Sequence, residues 1–314
     1  MTLKVLKFGG SSVGSAEALL RAAAIIRAEL PSGGLVVVSA MKGTTDGILA
    51  AVQAAGRGDA AQARRAQEDI RRRHEQAAHT LGLLGAVETP WNDLFERLAN
   101  LLAGMAMLGE ATPRARDAAL GVGETLSAHL LAALLQDGAR FRDARAVLKT
   151  DARFGQARPQ PALIKRAAEP WRRDIARGAR IITQGFIGES PDGATTTLGR
   201  GGSDTSATLL GEALGAEEVQ IWTDVDGVLS ADPSLVPDAR PLPVMSLAEA
   251  TALSAFGAKV LHADSLAPLA RAGFRLLVAN TLRPEASRTA VLAAPPLRAP
   301  GEVTSVAYKE GLTL

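Results

Sequence analysis

The chain has 314 residues, 47% of them apolar and 22% charged, with a net charge of +2 carried mostly by arginine, since only seven residues are lysine. That apolar share suits a large α/β core, and the near-balanced charge gives no nucleic-acid footprint. With no cysteine, disulfides, thiolate nucleophiles and cysteine-based zinc sites are excluded; the start MTLKVLKFGG lacks a signal-peptide core and no run of about 18 apolar residues occurs, so a cytoplasmic protein without a membrane partner is expected.

In chain order, residues 3–8 and 35–40 read as short buried strands, each ending in a polar, glycine-containing loop. Between them 15–30 has helical spacing with Ser15 as N-cap, a strand–helix–strand unit that favours a parallel sheet. Residues 60–80 form a polar helix with a solvated charged face, and 91–108 and 124–137 continue a helix-rich segment. Strand-like runs return at 181–188, 219–224 and 275–280, with helical patterns at 205–215, 246–255 and 263–272. The proline-rich 295–300 marks a boundary.

Three strand ends carry unusual loops: KFGGSS, SAMKGTTD and WTDVDG. Ligands of open parallel sheets bind outside the carboxyl ends of strands. Lys7 with Gly9 and Gly10 reads either as an anion cradle ahead of a helix or as a tight turn with a snorkelling lysine. TTTLGRGGSDTSATLL, 195–210, is the sharpest signal: three glycines, Arg200 and Asp204 precede a helix beginning near Thr205, which suits an anionic ligand. Asp226 reads as the corner of an Asx-type turn, with Thr223 and Asp224 as candidate nucleotide contacts. Taken alone, Lys259 reads as a surface lysine and Glu124 as a helix-start cap.

Several attractive patterns fail. His74 and His79 lie five residues apart, about 140° around a helix, and cannot share one ion. His129 and His262 are isolated and read as packing or solvent residues. No G-x-S-x-G elbow, P-loop or G-x-G-x-x-G fingerprint is present.

Seven segments, KFGGSSV, SAMKGTTD, GVGETLS, TTLGRGGSDTSA, WTDVDGV, FGAKVLH and ANTLRPEASRT, are similar in content and order to aspartate kinases of the amino-acid kinase superfamily. The resemblance covers the chain to about residue 290. It implies an α/β fold, a three-layer αβα sandwich around a mainly parallel sheet, with a catalytic domain over 1–297 and a tail over 298–314 resembling the start of an ACT regulatory region. It implies transfer of a phosphoryl group from ATP with Mg²⁺ to the side-chain carboxylate of L-aspartate, and a homodimer. Lys7, Gly9, Gly10 and Ser11 match the family's phosphate-binding strand end; Ser39, Thr45, Gly201 and Ser203 match the substrate loops. Glu124 matches the receiver of the substrate ammonium, Arg200 the clamp for its carboxylate, and Asp204 the aspartate that organises the catalytic lysines Lys7 and Lys259. Thr223, Asp224 and Lys259 match nucleotide contacts, and no protein ligand of a metal is assigned. Leu229 stands where the family commonly has tyrosine, Ser234 where it has arginine, and Ala263-Asp264-Ser265 where it continues Pro-Arg-Thr.

A carboxylate acceptor is already ionised at pH 7, so the implied chemistry needs no general base. The difficulty is bringing an anion against a polyanion, which makes positioning and charge neutralisation the whole task. A related kinase acting on another acid, or a non-catalytic amino-acid- or nucleotide-binding module, are the alternatives; the negative charge of Glu124 argues against an N-blocked substrate.

Overall fold

A computed structural model of the protein describes residues 2–136, 138–232, 234–255, 261–294 and 305–306. The chain enters through β1 (Lys4–Phe8), a short 3₁₀ turn at Ser11–Val13 and α1 (Ala16–Glu29), whose N-terminus is closed by Ser15 accepting the Ala18 N–H. β2 (Gly34–Val38) follows, then four helices in succession: α2 (Thr44–Gly56), α3 (Ala60–Thr80), α4 (Leu84–Leu108) and α5 (Pro113–Leu135). β3 (Ala139–Phe141), α6 (Pro161–Ala167) and α7 (Glu169–Ala176) lead to β4 (Arg180–Gln184), and a small antiparallel hairpin pairs β5 (Ile187–Glu189) with β6 (Thr195–Thr197). α8 (Gly202–Leu214), β7 (Glu218–Thr223), β8 (Val244–Ser246), α9 (Leu247–Ala255), α10 (Ala263–Ala272), β9 (Arg275–Asn280) and β10 (Thr289–Leu292) complete the described elements.

The main sheet runs β3-β4-β2-β1-β7-β9-β10-β8, and only the β9–β10 pairing is antiparallel. Side-chain alternation divides each strand between two cores. Leu6, Phe8, Val36, Val38 and Trp222 pack with α1–α5 on one face. Val5, Leu35, Val37, Val219 and Ile221 pack with α6–α8 and α10 on the other. This is the expected αβα sandwich. By the same alternation Lys7, next to Leu6 and Phe8, falls on the α8 face. The chain leaves β1 for β2 on one side and returns to β7 on the other, so the crevice at the carboxyl ends of β1 and β7 is the topological switch point.

Three readings of the sequence need correction. The run 181–188 is two strands, because Phe186 takes φ 70° and turns the chain out of the main sheet. The helix holding Glu124 starts at Pro113, with Thr112 as its cap, so Glu124 lies mid-helix and caps nothing. The helix read as beginning near Thr205 begins at Gly202, so Asp204 is in its first turn. By length and composition α5 could cross a membrane, but two thirds of its most apolar stretch is buried inside the fold, as in a core helix. The 295–300 boundary lies outside the described residues; of the 298–314 tail only Ser305 and Val306 are described, hydrogen-bonded to the Leu229 and Ser230 carbonyls.

Candidate active site

Lys7 sits on the last turn-in of β1, 8% exposed, with its Nζ 2.6 Å from the Asp204 carboxylate at the start of α8. A lysine at the end of a buried strand is costly to desolvate. Its counterion, supplied by α8 on the same face of the sheet, offsets part of that cost and holds the ammonium at the switch point. The turn after it is laced to its neighbours: Gly9 N–H donates to the Trp222 carbonyl, Lys42 N–H to the Gly10 carbonyl, and the Ser12 and Thr281 hydroxyls share a 2.7 Å hydrogen bond. Gly10 is required by space, since a Cβ there would stand 2.9 Å from the Ala40 carbonyl oxygen.

The G-V-G-E-T-L-S motif gains a structural meaning on α5. A Cβ on Gly123 would approach Ala40 and Thr44 methyl carbons at 3.1 Å, so its absence lets α5 press against the loop after β2. Ser127 Oγ then accepts the Met41 N–H at 3.0 Å, and the Ala40 N–H hydrogen-bonds the Glu124 carboxyl. Glu124 is 4% exposed and its Oε2 has no hydrogen-bond partner among the described residues. Burial pushes its carboxyl up to about 7, against the lowering pull of its own and the Ala40 backbone N–H. Such a group gains strongly from an incoming cation.

A cavity of about 350 Å³ gathers Lys7, Gly10, Ser39, Thr45, Glu124, Gly201, Ser203 and Asp204. Eight residues expected from four separate motifs thus meet in one place. Arg200 does not line it. Arg200 is exposed and borders a neighbouring cavity of about 530 Å³ with His262, while Gly199 belongs to the walls of both. Gly9 and Ser11, in the turn after β1, do not line the 350 Å³ cavity. Thr223 and Asp224 stand at the end of β7, where the Thr223 hydroxyl donates to Asp224 at 3.2 Å and Asp224 is exposed. Lys259 lies outside the described residues. Asp226 braces the end of β9, accepting Asn280 Nδ2 at 2.6 Å and pairing with Arg283, with Gly227 behind it at φ 90°. His262 closes the start of α10 by accepting the Asp264 N–H, and His129 stacks on Phe141.

Sequence reasoning missed Lys42, Asp46 and Phe186, which also line the 350 Å³ cavity. Lys42 was visible as one of seven lysines inside a quoted motif. Phe186 carried no local signal. Its left-handed backbone is held by its N–H donating to Ser206 Oγ at 2.9 Å and its carbonyl accepting Leu198 N–H at 2.8 Å. Its ring lies against Gly202, where a Cβ would meet Phe186 Cδ2 at 2.7 Å.

The model of the amino acid kinase family matches residues 2–280. Aspartokinase 1, chloroplastic, of Arabidopsis thaliana is 37% identical over 298 residues, covering 91% of this chain and 51% of its own. The lysine-sensitive aspartokinase 3 of Escherichia coli K12 is 35% identical, covering 91% of this chain and 63% of its own. Among solved structures, E. coli aspartokinase III in complex with aspartate and ADP superposes with a TM-score of 0.85 at 34% identity, over 92% of this chain and 64% of that one. The chain therefore spans between about half and just under two thirds of the length of these relatives. With the αβα sandwich and the strand-end cavity already in place, that match establishes that the chain belongs to the amino acid kinase family.

Proposed function

We propose that this chain transfers the γ-phosphoryl group of ATP to the side-chain carboxylate of L-aspartate, giving 4-phospho-L-aspartate and ADP. The observation that carries the reading is Glu124: a buried carboxyl with a free oxygen, facing the same cavity as the Lys7–Asp204 pair. A free α-amino acid offers the ammonium that Glu124 lacks. The aspartokinase relatives support the choice of aspartate.

In this reading Glu124 takes the substrate ammonium, and Arg200, one residue beyond the shared Gly199 wall, takes the α-carboxylate. Ser39, Thr45, Gly201 and Ser203 line the space between. The side-chain carboxylate oxygen attacks the γ-phosphorus while the bond to the ADP oxygen breaks; no proton moves, so no base is needed. Lys7, held by Asp204, and Lys259 neutralise the oxygens of the moving phosphoryl group, and the turn after Gly9, whose own N–H is taken by the Trp222 carbonyl, supplies the Gly10 and Ser11 N–H groups as donors. Thr223 and Asp224 meet the nucleotide. Among the described residues no three His, Cys, Asp or Glu side chains form a metal cage. Mg²⁺ bound with the nucleotide would offset the charge of its phosphates. The product is the activated acid that begins the route to lysine, threonine and methionine.

The test is an ADP-release assay with MgATP across a panel of acidic amino acids and their N-acetyl forms, with hydroxylamine trapping of the acyl phosphate. Turnover with L-aspartate and a trapped hydroxamate are expected. Turnover with glutamate alone would overturn the substrate. Calorimetric binding of ATP or aspartate without ADP release would leave a binding module.

A further inference from the structure

We infer that Asp117, a buried carboxylate to which phosphoryl transfer gives no part, is a positioning residue: it sets the place of the Gly199–Gly202 loop relative to Glu124, and so the span over which an amino acid is held. Only the kinetic readout of this inference rests on aspartate being the acceptor.

Asp117 is fully buried on α5. Its Oδ2 accepts the Gly155 N–H and the Thr197 N–H, each at 2.8 Å, and its Oδ1 accepts the Thr197 hydroxyl at 2.9 Å. All three donors are neutral and two are backbone groups. A carboxylate buried among neutral donors is held in place by those hydrogen bonds, and its loss would leave the donors stranded. Thr197 ends β6, two residues before Gly199 and three before Arg200. Gly155 begins the segment on which Gly199 rests: a Cβ on Gly199 would meet Gln156 Cγ at 3.3 Å and the Gly155 carbonyl at 3.4 Å. Ala157 N–H donates to the Thr197 carbonyl at 2.9 Å, closing the two segments on each other. Asp117 therefore fastens both backbones that flank the glycine loop.

Asp117 and Glu124 are seven residues apart, two turns of one helix and about 10 Å along it, on one face. α5 reaches the hairpin closely because Gly121 has no side chain; a Cβ there would stand 3.3 Å from Ile187 and Thr195 methyl groups. One rigid helix thus carries the receiver of the ammonium and the latch of the loop bearing Arg200. A carboxylate serving only as a core brace would affect stability without affecting that span.

The experiment compares Asp117→Asn, Thr197→Val and Thr197→Ser in the full chain. Asparagine keeps one acceptor oxygen and turns an NH₂ toward an N–H; valine removes the hydroxyl; serine keeps it. The expected result is faster amide exchange at 199–202 and a KM for aspartate raised about tenfold in Asp117→Asn. Thr197→Val should shift both in the same direction by less, Thr197→Ser should match the native chain, and the KM for ATP should stay unchanged throughout. Reduced melting temperatures with native exchange at 199–202 and a native KM for aspartate would overturn the inference. If Asp117→Asn does not fold, the valine and serine pair decides by the same criteria. If the native chain does not turn over aspartate, the functional reading fails, and amide exchange still decides the role of Asp117.

Discussion

Around the β1 strand end, where α5 and α8 meet one cavity, charge is stored dry: the Lys7 and Asp204 side chains are 10% and 16% exposed, and Glu124 is buried with an oxygen to spare. At the end of β7 the same kinds of residue meet water. Asp224 is exposed beside Thr223, and Asp226 is spent on Asn280 and Arg283. Ser234, standing where the family commonly has arginine, donates its N–H and hydroxyl to Asp232 two residues back. Under the proposed function the difference follows from what each side would do. Positioning a small acid and neutralising a transferring phosphoryl group requires fixed charges in low dielectric. Holding a large nucleotide can rely on many weaker contacts spread over solvent-facing loops.

The most severe way to break the dry side is Lys7→Ala. Loss of a preorganised cation should lower kcat on the order of 10²–10³ with a smaller effect on the KM for aspartate. The same change strands the Asp204 carboxylate, so the melting temperature should fall as well. A kcat within a few-fold of native, by roughly the criterion used for mutant kinetics, would place the chemistry elsewhere.

Glu124→Gln sharpens the comparison through pH. The Glu124 carboxyl moves from 4.5 to about 7 on folding. The folded state therefore binds the proton more tightly than the unfolded chain. Its contribution to stability is intact below 4.5, is lost progressively as pH rises to about 7, and stays lost above it, a cost of about 3 kcal/mol at most. Without substrate, Glu124→Gln should be more stable than the native chain above pH 7, the gap closing as pH falls. The variant should also raise the KM for aspartate by roughly 10²-fold, through loss of a charge-assisted hydrogen bond. Thermal melts between about pH 5 and pH 8 with kinetics at neutral pH read both effects. A variant less stable at high pH would mean that the buried carboxyl has a partner.

Asp224→Asn probes the wet side. Its effect should be confined to the nucleotide, a rise of about tenfold in the KM for ATP with that for aspartate unchanged. Steady-state titration of each substrate at saturation of the other separates them. A change in the KM for aspartate alone would dissolve the division between the two sides.

How much of this was legible beforehand depends on whether the cause was local. β1, α1 with its Ser15 cap, β7 and α10 follow from alternation, periodicity and capping within a few residues. Four of the ordered motifs meet at one cavity; three of them carry a glycine turn or strand end, and the fourth, around Glu124, lies mid-helix on α5. The start of α5 was misplaced because helix-permissive Ala and Arg at 114–119 carry no apolar stripe; only the Thr112-Pro113 cap marks it. Phe186 and Asp117 were invisible for a deeper reason. The strained turn at Phe186 is set by Ser206 and Leu198, and Asp117 acts on Thr197, eighty residues away. Both depend on tertiary hydrogen bonds that no window of sequence contains.

The smallest expected effect lies in the brace behind Asp224, and it tests whether the wet side is held by charge or by geometry. Arg283 and Asp226 form an ion pair whose arginine is 62% exposed, so Arg283→Ala should cost no more than about 1 kcal/mol. That loss should vanish at molar salt, where screening acts within a few ångströms. Asn280 is different: its Nδ2 donates to Asp226 at 2.6 Å while its Oδ1 accepts the Leu282 N–H at 2.8 Å, and the residue is 4% exposed. Asn280→Ala should cost about 1–2 kcal/mol, independent of salt, because it leaves a backbone donor unmet. Chemical denaturation of both variants at low and high salt makes the distinction. If Asn280→Ala also recovers in salt, or Arg283→Ala proves the costlier change, the end of β7 is organised by charge, as the Lys7 side is, and the contrast between the two sides reduces to exposure alone.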